Sequence, residues 1–576
     1  FDIREFNPKD FGFGSNVTGI TNSSSTGYQY YAQRYSMTDD FPFAEINVFQ
    51  LGLYAQDKWT VSDKLNLTLG LRIDVPFFMT DLQSNDKVAA ETYRDGIKID
   101  VSKYPNAKPQ FSPRFGFNYK PFDDENGSLQ IRGGTGLFTG TPPYVWISNQ
   151  AGNNGVLFGD LNVRAVKDKN DNIISDGRPS LGFTGNMDTY KPAEGSATRS
   201  DIAITDPDFK YPSLWKSNIA ADYKFGDGWV ATIELLYSKD INAIYHDNIG
   251  LYRTEQFVND GGAGNARPYY NGYYSDREGN QKAANHVVML RNTSKGHSLY
   301  TTFQLQKNFV DGILKGLYLN GSYSFGQSRG VTDGTSSVAT SAWKYRAALD
   351  GNAEEVGYTA GSFDGRLLLS ASYTANWSKY AATSFGLIYQ RYRPFRYSYC
   401  YNGDANGDSQ FSNDLMYIPA NFDEVKDHLL PGDFDSQEDA WKAMNAFIEQ
   451  DPYLSKHRGE YAERNGAVAP FANQLDLSVS HDIKIYQKNG RSHTLRFSFN
   501  IANFLNLLNR NWGVVQTTVL GNQQYQFLTI PKGQGPSAAN NYTLKYTMAK
   551  DLDETFKDNL NDVSRWQMQF GIKYIF

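Results

Sequence analysis

The sequence predicts an all-β fold, a transmembrane antiparallel β-barrel. Three observations predict this fold class: long segments in which apolar and polar residues alternate, short turns that alternate along the chain with long polar stretches, and an excess of aromatic residues. Of the 576 residues, 39 are Tyr, 37 are Phe and 9 are Trp. Transmembrane barrels concentrate such residues in girdles at both membrane interfaces, so the aromatic excess agrees with the alternation.

The clearest alternation lies in residues 48–75. Phe49, Leu51 and Leu53 fall on one side of the first segment, and after a break at 62–64 leucines recur at every second position. Because successive side chains of a strand point to opposite faces, the two segments form a hairpin with one apolar and one polar face. Both exceed the five or six residues of an average soluble strand and reach the roughly 9–11 residues that cross a membrane at a tilt.

Five further hairpins follow the same pattern. Most of their turns are short and rich in Gly, Asp and Asn, and the last turn contains Asn489 and Gly490. Their strands are 111–119 and 129–137, 214–223 and 229–237, 299–309 and 317–325, 367–375 and 383–389, and 475–483 and 495–501. A last alternating segment, 565–576, ends on Phe576. The sequence therefore predicts thirteen strands.

Long polar connections join the opposite ends of these strands. We expect them at 76–110, 140–211, 239–296, 327–364, 391–471 and 504–562, with 1–46 as a further loop region and 47–576 as the barrel portion. In outer-membrane barrels the short turns face the periplasm and the long loops face the exterior. The sequence thus predicts extracellular positions for these connections and for 1–46.

The composition excludes several other classes of protein. A net charge of −6 with interspersed charges offers no basic face for nucleic acid. The single cysteine, Cys400, excludes a disulfide scaffold, and a mean hydropathy of −0.55 without an 18-residue apolar run excludes a helical membrane protein. No HExxH motif or catalytic cluster occurs, and the glycine-rich stretch 133–140 lies on an alternating strand, so we expect no enzymatic activity.

The longest connection contains a predicted helix. Ser436 is a suitable N-cap, and Trp441, Met444 and Phe447 then form an apolar stripe at helical spacing. Two interpretations remain open: the helix packs on neighbouring loops, or it docks a partner or substrate.

The same connection contains a cluster of oxygen-bearing side chains, at Asp404, Asn406, Asp408 and Asp414. Alternate oxygen ligands resemble the start of a calcium-binding loop. The EF-hand pattern has Gly at its sixth position and Glu at its twelfth, where this sequence has Ser409 and Leu415. A Ca²⁺ site and a solvated turn rich in Asp and Asn are therefore both compatible with the pattern.

Two pairs of loop aromatics are candidates for substrate binding. Tyr144 and Trp146 follow two prolines, and Tyr273 and Tyr274 follow an Asn-Gly pair. Aromatic faces in loops provide stacking platforms for sugars or peptides, and the alternative is that they belong to a membrane-interface girdle or to loop packing.

Several stretches taken together resemble TonB-dependent outer-membrane transporters. They are YAQDKWTVSDKLNLTLGLRIDVP (54–76), FSPRFGFNYKP (111–121), IRGGTGLFTGTPPYVWISNQ (131–150) and FSFNIANFLNLLNRNWG (497–513). They are most similar to the Oar-like receptors of Bacteroidota, which are relatives of the SusC type. The final segment RWQMQFGIKYIF (565–576) resembles the C-terminal strand of outer-membrane proteins.

This resemblance implies a 22-stranded barrel in the outer membrane, with an N-terminal plug that is not present in this chain and about thirteen C-terminal strands that are. It implies import of a bulky solute (glycan, peptide or chelate), with energy from the TonB–ExbB–ExbD motor acting through the absent N-terminal region. Implied partners are lipid and lipopolysaccharide, a surface lipoprotein, or other subunits of an outer-membrane complex. The alternative function is a non-transporting structural or assembly subunit of such a complex.

Overall fold

The structure, a computed structural model, describes residues 2–6, 30–36, 44–164, 166–167, 173–174, 199–258, 267–486, 492–520, 524–531, 535–536 and 546–576. Its dominant element is one sheet of thirteen long strands, and the short strand Gly357–Tyr358 pairs with the last two residues of the strand that ends at Gly330. The predicted number of strands is therefore confirmed. The turn predicted at Asn489 and Gly490 lies outside the described residues.

Each long strand pairs antiparallel with the next one along the chain, so the order in the sheet is the order in the sequence. The strands are β1 (Val48–Ser62), β2 (Leu65–Phe78), β3 (Gln110–Asp124), β4 (Gly127–Thr139), β5 (Ser213–Phe225), β6 (Trp229–Asp240), β7 (His297–Asn308), β8 (Leu317–Gly330), β9 (Arg366–Ser378), β10 (Ala381–Tyr392), β11 (Ala472–Tyr486), β12 (Ser492–Ala502) and β13 (Gln567–Ile575).

The strand register separates the side chains into two faces. Phe303 of β7 lies opposite Ile233 of β6 and Tyr323 of β8, and all three rings or branched chains are exposed. The next residue, Gln304, lies opposite Ser322 on the other side of the sheet. We call the side that carries Phe303 the apolar face and the side that carries Gln304 the polar face.

The polar face carries ion pairs within and between strands. They are Arg72–Asp74 (2.7 Å), Arg132–Asp222 (2.9 Å) and Arg496–Asp482 (2.6 Å). Asp74 is almost wholly buried and the other five side chains are partly exposed, so this face carries charged groups and is not a hydrophobic core. The sheet therefore presents its apolar side chains outward without covering them with other protein.

Exposed aromatic side chains occur at both ends of the strands, and others, such as Tyr54, Phe115 and Phe303, lie in the middle of the strands. At the end with short turns they are Trp59, Tyr119, Tyr223, Trp377, Tyr380 and Tyr574. At the end with long connections they are Phe49, Phe111, Trp215, Tyr237, Phe471 and Trp566. The aromatic side chains at the two ends correspond to two interface girdles.

The first and last strands form the edges of the sheet. Among the described residues, β1 pairs only with β2, and β13 pairs only with β12. Both strands run from the end with long connections to the end with short turns. Pairing β1 with β13 would therefore be parallel, in a sheet whose long strands are otherwise all antiparallel.

The long connections fold into structure of their own. Their α-helices are α1 (Asp86–Ala90), α2 (Tyr144–Gly152), α3 (Ala339–Lys344), α4 (Gln437–Gln450) and α5 (Phe504–Leu508). A three-stranded sheet has Ala284–Thr293 at its centre, parallel to Ser200–Thr205 and antiparallel to Ala243–Asn248. No helix among the described residues is long and apolar enough to span a membrane.

Further short strands extend this loop structure. In the region 1–46, Asp2–Phe6 pairs with Tyr30–Ser36, which pairs in turn with Phe158–Arg164. The remaining strands are Val166–Lys167 with Ile173–Ile174, Leu251–Phe257 with Pro268–Tyr273, Arg396–Tyr399 with Ala467–Val468 and Gln524–Tyr525, Tyr417–Ile418 with Glu460–Tyr461, Gln516–Thr518 with Phe556–Asp558, and Leu528–Thr529 with Thr547–Met548.

A large buried apolar cluster lies among these connections. It gathers side chains from four of them, including Tyr269, Ala347, Tyr399, Phe447 and Tyr525. We call this cluster the loop core. It holds the connections together as the core of a soluble domain would, at one end of the sheet.

Candidate functional site

Helix α4 confirms the helix predicted in the longest connection. The Ser436 hydroxyl oxygen accepts a hydrogen bond from the Asp439 N–H (3.1 Å), as an N-cap does. Met444 and Phe447 are buried in the loop core, and Trp441 packs against it. The apolar stripe is therefore used inside the molecule, which favours the interpretation that the helix packs on neighbouring loops.

The residues singled out for calcium form a tight turn, which we call the acidic turn (residues 404–414). The Asp404 carboxylate accepts hydrogen bonds from the backbone N–H groups of Asn406 (3.1 Å), Gly407 (2.6 Å) and Ser409 (2.8 Å). Ser409 has a φ of 66°, in the left-handed region. It thus adopts a backbone conformation that glycine favours, at the position where a calcium loop has its glycine.

Asn406 and Asp408 are fully buried within the turn. The Asn406 side-chain oxygen accepts from the Asp408 N–H (2.9 Å), and the Asp408 carboxylate accepts from the Gln410 N–H (2.8 Å). The Asn406 amide also reaches the second carboxylate oxygen of Asp408, at 3.4 Å. The turn thus brings three of the predicted oxygen ligands together.

Asp414, the fourth predicted ligand, is bound differently. The guanidinium of Arg267 pairs with its carboxylate at 3.2 Å, with both side chains almost wholly buried. The Ala405 N–H donates to its other oxygen (2.8 Å). Arg267 comes from another connection and was not among the predicted site residues, since 147 positions separate it from Asp414.

Burial raises the pKa of all three carboxyl groups of the turn. It raises the pKa of Asp408 to about 7, with a further contribution from the charge of Asp404, and it raises the pKa of Asp404 and Asp414 as well. Among the described residues, no three Asp, Glu, His or Cys side chains are already grouped so that they could hold a metal ion. Any metal at this turn would therefore need amide or backbone oxygens as well.

The acidic turn lies where several connections meet. Backbone hydrogen bonds join it and its neighbouring residue to three of them: Tyr270 N–H to Asn406 O (2.7 Å), Ala348 N–H to Asn413 O (3.0 Å), and Ile530 N–H to Asn402 O (2.9 Å). The turn is thus a structural junction of the loop core.

Tyr144 and Trp146, the first aromatic candidates, lie on α2 and are half-buried. The Tyr144 and Tyr211 hydroxyls are 3.0 Å apart. The Trp146 indole N–H donates to the Ser336 carbonyl (2.8 Å), and its ring meets the His246 ring edge-on at 5.6 Å. Both side chains therefore take part in loop packing.

Tyr273 and Tyr274, the second pair, are also half-buried. The Arg199 guanidinium lies 5.1 Å above the Tyr273 ring, whose hydroxyl is 3.4 Å from His286 Nε2. Tyr274 meets Tyr252 edge-on at 5.2 Å. No ring contact among the described residues joins the two pairs into one platform.

A polar cavity of about 410 Å³ lies near both aromatic pairs, since α2 carries Trp146 and the cavity residue Arg199 covers Tyr273. Its polar lining includes Asn149, Asn153, Arg199, Asp201, Asn285 and Lys344. Amides, a carboxylate and two cations suit a ligand rich in hydroxyl or carboxylate groups. No local sequence signal marks this cavity, because its walls come from four separate segments of the connections.

A sheet with one uncovered apolar face, one polar face and exposed aromatic side chains at both ends has the features of the wall of a transmembrane β-barrel. Residues 4–535 match the family model described as "Outer membrane beta barrel domain", and the chain belongs to this family. The protein is therefore an outer-membrane protein, with its apolar face toward lipid and its polar face toward the lumen.

Among solved structures, the chain is similar at low identity to two receptors and one transporter. They are the siderophore receptor PirA from Acinetobacter baumannii (9% identity, 83% of this chain and 47% of that chain covered, TM-score 0.37), a mutant of the ferric enterobactin receptor PfeA from Pseudomonas aeruginosa (10%, 95% and 50%, 0.37), and the iron transporter FrpB from Neisseria meningitidis (11%, 83% and 48%, 0.35). The chain spans about half the length of each. No curated protein matches the sequence significantly.

Proposed function

We propose that this chain is the barrel portion of a TonB-dependent receptor of the Oar-like, SusC-related type. It imports a bulky solute across the outer membrane, with energy supplied by the TonB–ExbB–ExbD motor. The observation that carries the proposal is the polar, ion-paired face of a sheet that contains thirteen long strands. An eight-stranded barrel fills its interior with side chains, whereas wider barrels enclose a channel or a plug.

The two edge strands support a larger barrel. In lipid, each unpaired backbone group costs several kcal/mol, so neither β1 nor β13 is stable as a free edge. Because β1 and β13 run in the same direction, an odd number of further strands restores antiparallel pairing all round. A barrel of about 22 strands, the size of plugged outer-membrane transporters, satisfies this condition.

The polar cavity is the proposed place of substrate capture. Lys344 and the amides of Asn149 and Asn153 face a space large enough for part of a sugar or peptide. The stacking of Arg199 on Tyr273 holds one wall in place. We infer that the substrate is a hydrophilic molecule such as a glycan, a peptide or an anionic chelate.

Uptake by whole cells tests the proposal. A strain that lacks the gene is complemented with the full-length wild type, with Asn153→Trp, which fills the cavity, or with Asn421→Trp, which places the same ring at an exposed loop position. We expect uptake of labelled glycans, peptides or chelates to be restored by the wild type and by Asn421→Trp, and to fall at least tenfold with Asn153→Trp. Deletion of TonB abolishes uptake in every strain.

The rival function, a structural or assembly subunit of an outer-membrane complex, gives a different result. In that case deletion changes the composition of the envelope while uptake of every solute is unaltered. That outcome contradicts the transport proposal.

A further inference from the structure

We propose that the acidic turn binds one Ca²⁺ ion through the carboxylates of Asp404 and Asp408 and the amide oxygens of Asn406 and Asn413. The site joins the long connections to one another. The inference goes beyond the transport proposal and does not depend on it, because it concerns the loop core alone.

Two carboxylates of the acidic turn, those of Asp404 and Asp408, have no positively charged partner among the described residues. Asp408 is fully buried, and neither Asp408 nor Asp404 forms an ion pair within the described part of the chain. Asp414 is the contrasting case, since Arg267 neutralises it. A buried carboxylate is strongly unfavourable unless a cation pairs with it. The turn therefore lacks a positive charge beside two of its three carboxylates.

The side-chain amide of Asn413 also points to a bound cation. Asn413 is almost wholly buried, and its side chain lies beside the carboxylate of Asp408. Its amide oxygen has no hydrogen-bond partner among the described residues. Buried amide oxygens almost always have a partner. A cation beside Asp408 supplies one, because the amide already lies against that carboxylate.

The donor chemistry selects calcium. The acceptor atoms of these four side chains are all oxygens, and Ca²⁺ takes six to eight oxygen ligands in flexible geometry. Two carboxylates and two amides supply four, and backbone carbonyls and water supply the rest. The sites of extracellular modules bind Ca²⁺ with dissociation constants of roughly 10⁻⁴–10⁻³ M, and we expect this range here.

The position of the turn gives the ion a structural role. Asn406 and Asn413 accept backbone hydrogen bonds from Tyr270 and Ala348, which belong to two other connections. An ion held by both asparagines fixes these connections to the longest one. Calcium is therefore expected to protect the loop core from proteolysis and heat.

The test uses the full-length protein in detergent, stripped with EDTA and titrated with CaCl₂ by calorimetry. Terbium luminescence sensitised by Tyr269, whose ring packs beside Gly407, provides a second probe. We expect one saturable site that Asp408→Asn weakens at least tenfold. Asp433→Asn makes the same change at an exposed position of the same connection and leaves the affinity unaltered.

A stability measurement separates a metal site from a merely structural turn. Without calcium, Asp408→Asn should melt at a higher temperature than the wild type because it removes a buried charge, and calcium should raise the melting temperature of the wild type only. A structural turn gives the reverse: Asp408→Asn melts lower, and neither protein responds to calcium.

If Asp408→Asn does not fold, Asn413→Ala takes its place, with an expected loss of affinity of several-fold. Absence of saturable calcium binding by the folded wild type overturns the proposal. Equal affinity of the wild type and the folded variant overturns it as well, since calcium then binds elsewhere.

Discussion

Large apolar side chains are buried in the loop core and exposed on the apolar face of the sheet. In the loop core Phe447 is 1% exposed, whereas in the sheet Phe303 is 46% exposed and Phe570 is 81% exposed. The loop core covers its apolar groups with protein, and the sheet leaves them for lipid to cover. The sheet is therefore suited to lipid and the loop core to water, and the change from one to the other lies where the strands end.

Polar groups also differ between the two regions: some are fully buried beside the loop core, whereas ion pairs on the polar face are partly exposed. Asp451 is fully buried next to the loop core, where Tyr399 (2.6 Å) and Thr555 (2.8 Å) donate hydrogen bonds to it. On the polar face, the Arg132–Asp222 pair remains partly exposed to the lumen. Exposed pairs contribute little to stability, whereas buried polar groups are costly once they lose a partner. The loop core should therefore be more sensitive to single substitutions than the polar face.

The largest effect is expected inside the loop core. Phe447→Ala removes a buried ring and should destabilise the connections by about 3–5 kcal/mol. Phe411→Ala makes the same change in the same connection at a ring that is 68% exposed, and should alter stability by less than about 0.5 kcal/mol. Near-UV circular dichroism during thermal unfolding measures both. Equal effects of the two substitutions would show that the loop core does not hold the connections together.

The next effect distinguishes the two faces of one strand. Phe303→Arg places a charge on the apolar face of β7 and should destabilise the barrel in lipid vesicles by about 2–4 kcal/mol. Gln304→Arg places the same charge on the polar face, one residue further along, and should have little effect. Urea unfolding of the folded protein in vesicles gives the comparison. A larger loss for Gln304→Arg would reverse the assignment of the faces.

A pH effect is expected in the connections. Burial lowers the pKa of His246 to about 4, with a smaller contribution from the charge of Arg346. The unfolded chain therefore binds a proton between pH 6.5 and 4 that the folded chain does not. The free energy of unfolding of the connections should therefore be highest above pH 6.5. It should fall by about 2–3 kcal/mol as the pH decreases toward 4. His246→Gln should flatten this dependence, and an unchanged profile in this variant would assign the effect to another group.

The smallest effect concerns the N-cap of α4. Ser436→Ala removes the acceptor for the Asp439 N–H and should cost about 1 kcal/mol. Ser436→Asp keeps an acceptor at the same place and should retain most of the stability. Both are measured by thermal unfolding of the connections, and equal losses would mean that capping does not contribute.

The parts of the fold that local periodicity determines were predictable from the sequence. Alternation of period two marked the thirteen strands, and the apolar spacing after Ser436 marked α4. At the boundaries with the long connections, the strands extend or fall short of the predicted bounds by at most four residues. For example, β8 continues to Gly330, although the connection was predicted to begin at residue 327. Membrane strands extend until hydrogen bonding to their neighbours ends, and this limit depends on the partner strand.

The arrangement of the connections was not predictable, because it depends on contacts between distant segments. Arg267 and Asp414 are 147 positions apart. The parallel pairing of Ser200–Thr205 with Ala284–Thr293 joins segments that lie on either side of the β5–β6 hairpin in the sequence. The sequence predicted the oxygen-rich composition of the acidic turn, but it gave no indication that Asp414 has an arginine partner or that Asn413 faces Asp408.

Cysteine scanning of β7 tests most directly whether the apolar face contacts lipid and the polar face contacts water. Cys400 is the only cysteine and is buried, so a Cys400→Ser background leaves each introduced cysteine as the only thiol. Cysteines at positions 299–306 are labelled one at a time with a water-soluble maleimide and with a fluorophore that brominated lipids quench. We predict strict alternation: quenching by lipid at 299, 301, 303 and 305, and reaction with the water-soluble reagent at 300, 302, 304 and 306. Uniform labelling from water at all eight positions would contradict a lipid-facing apolar face.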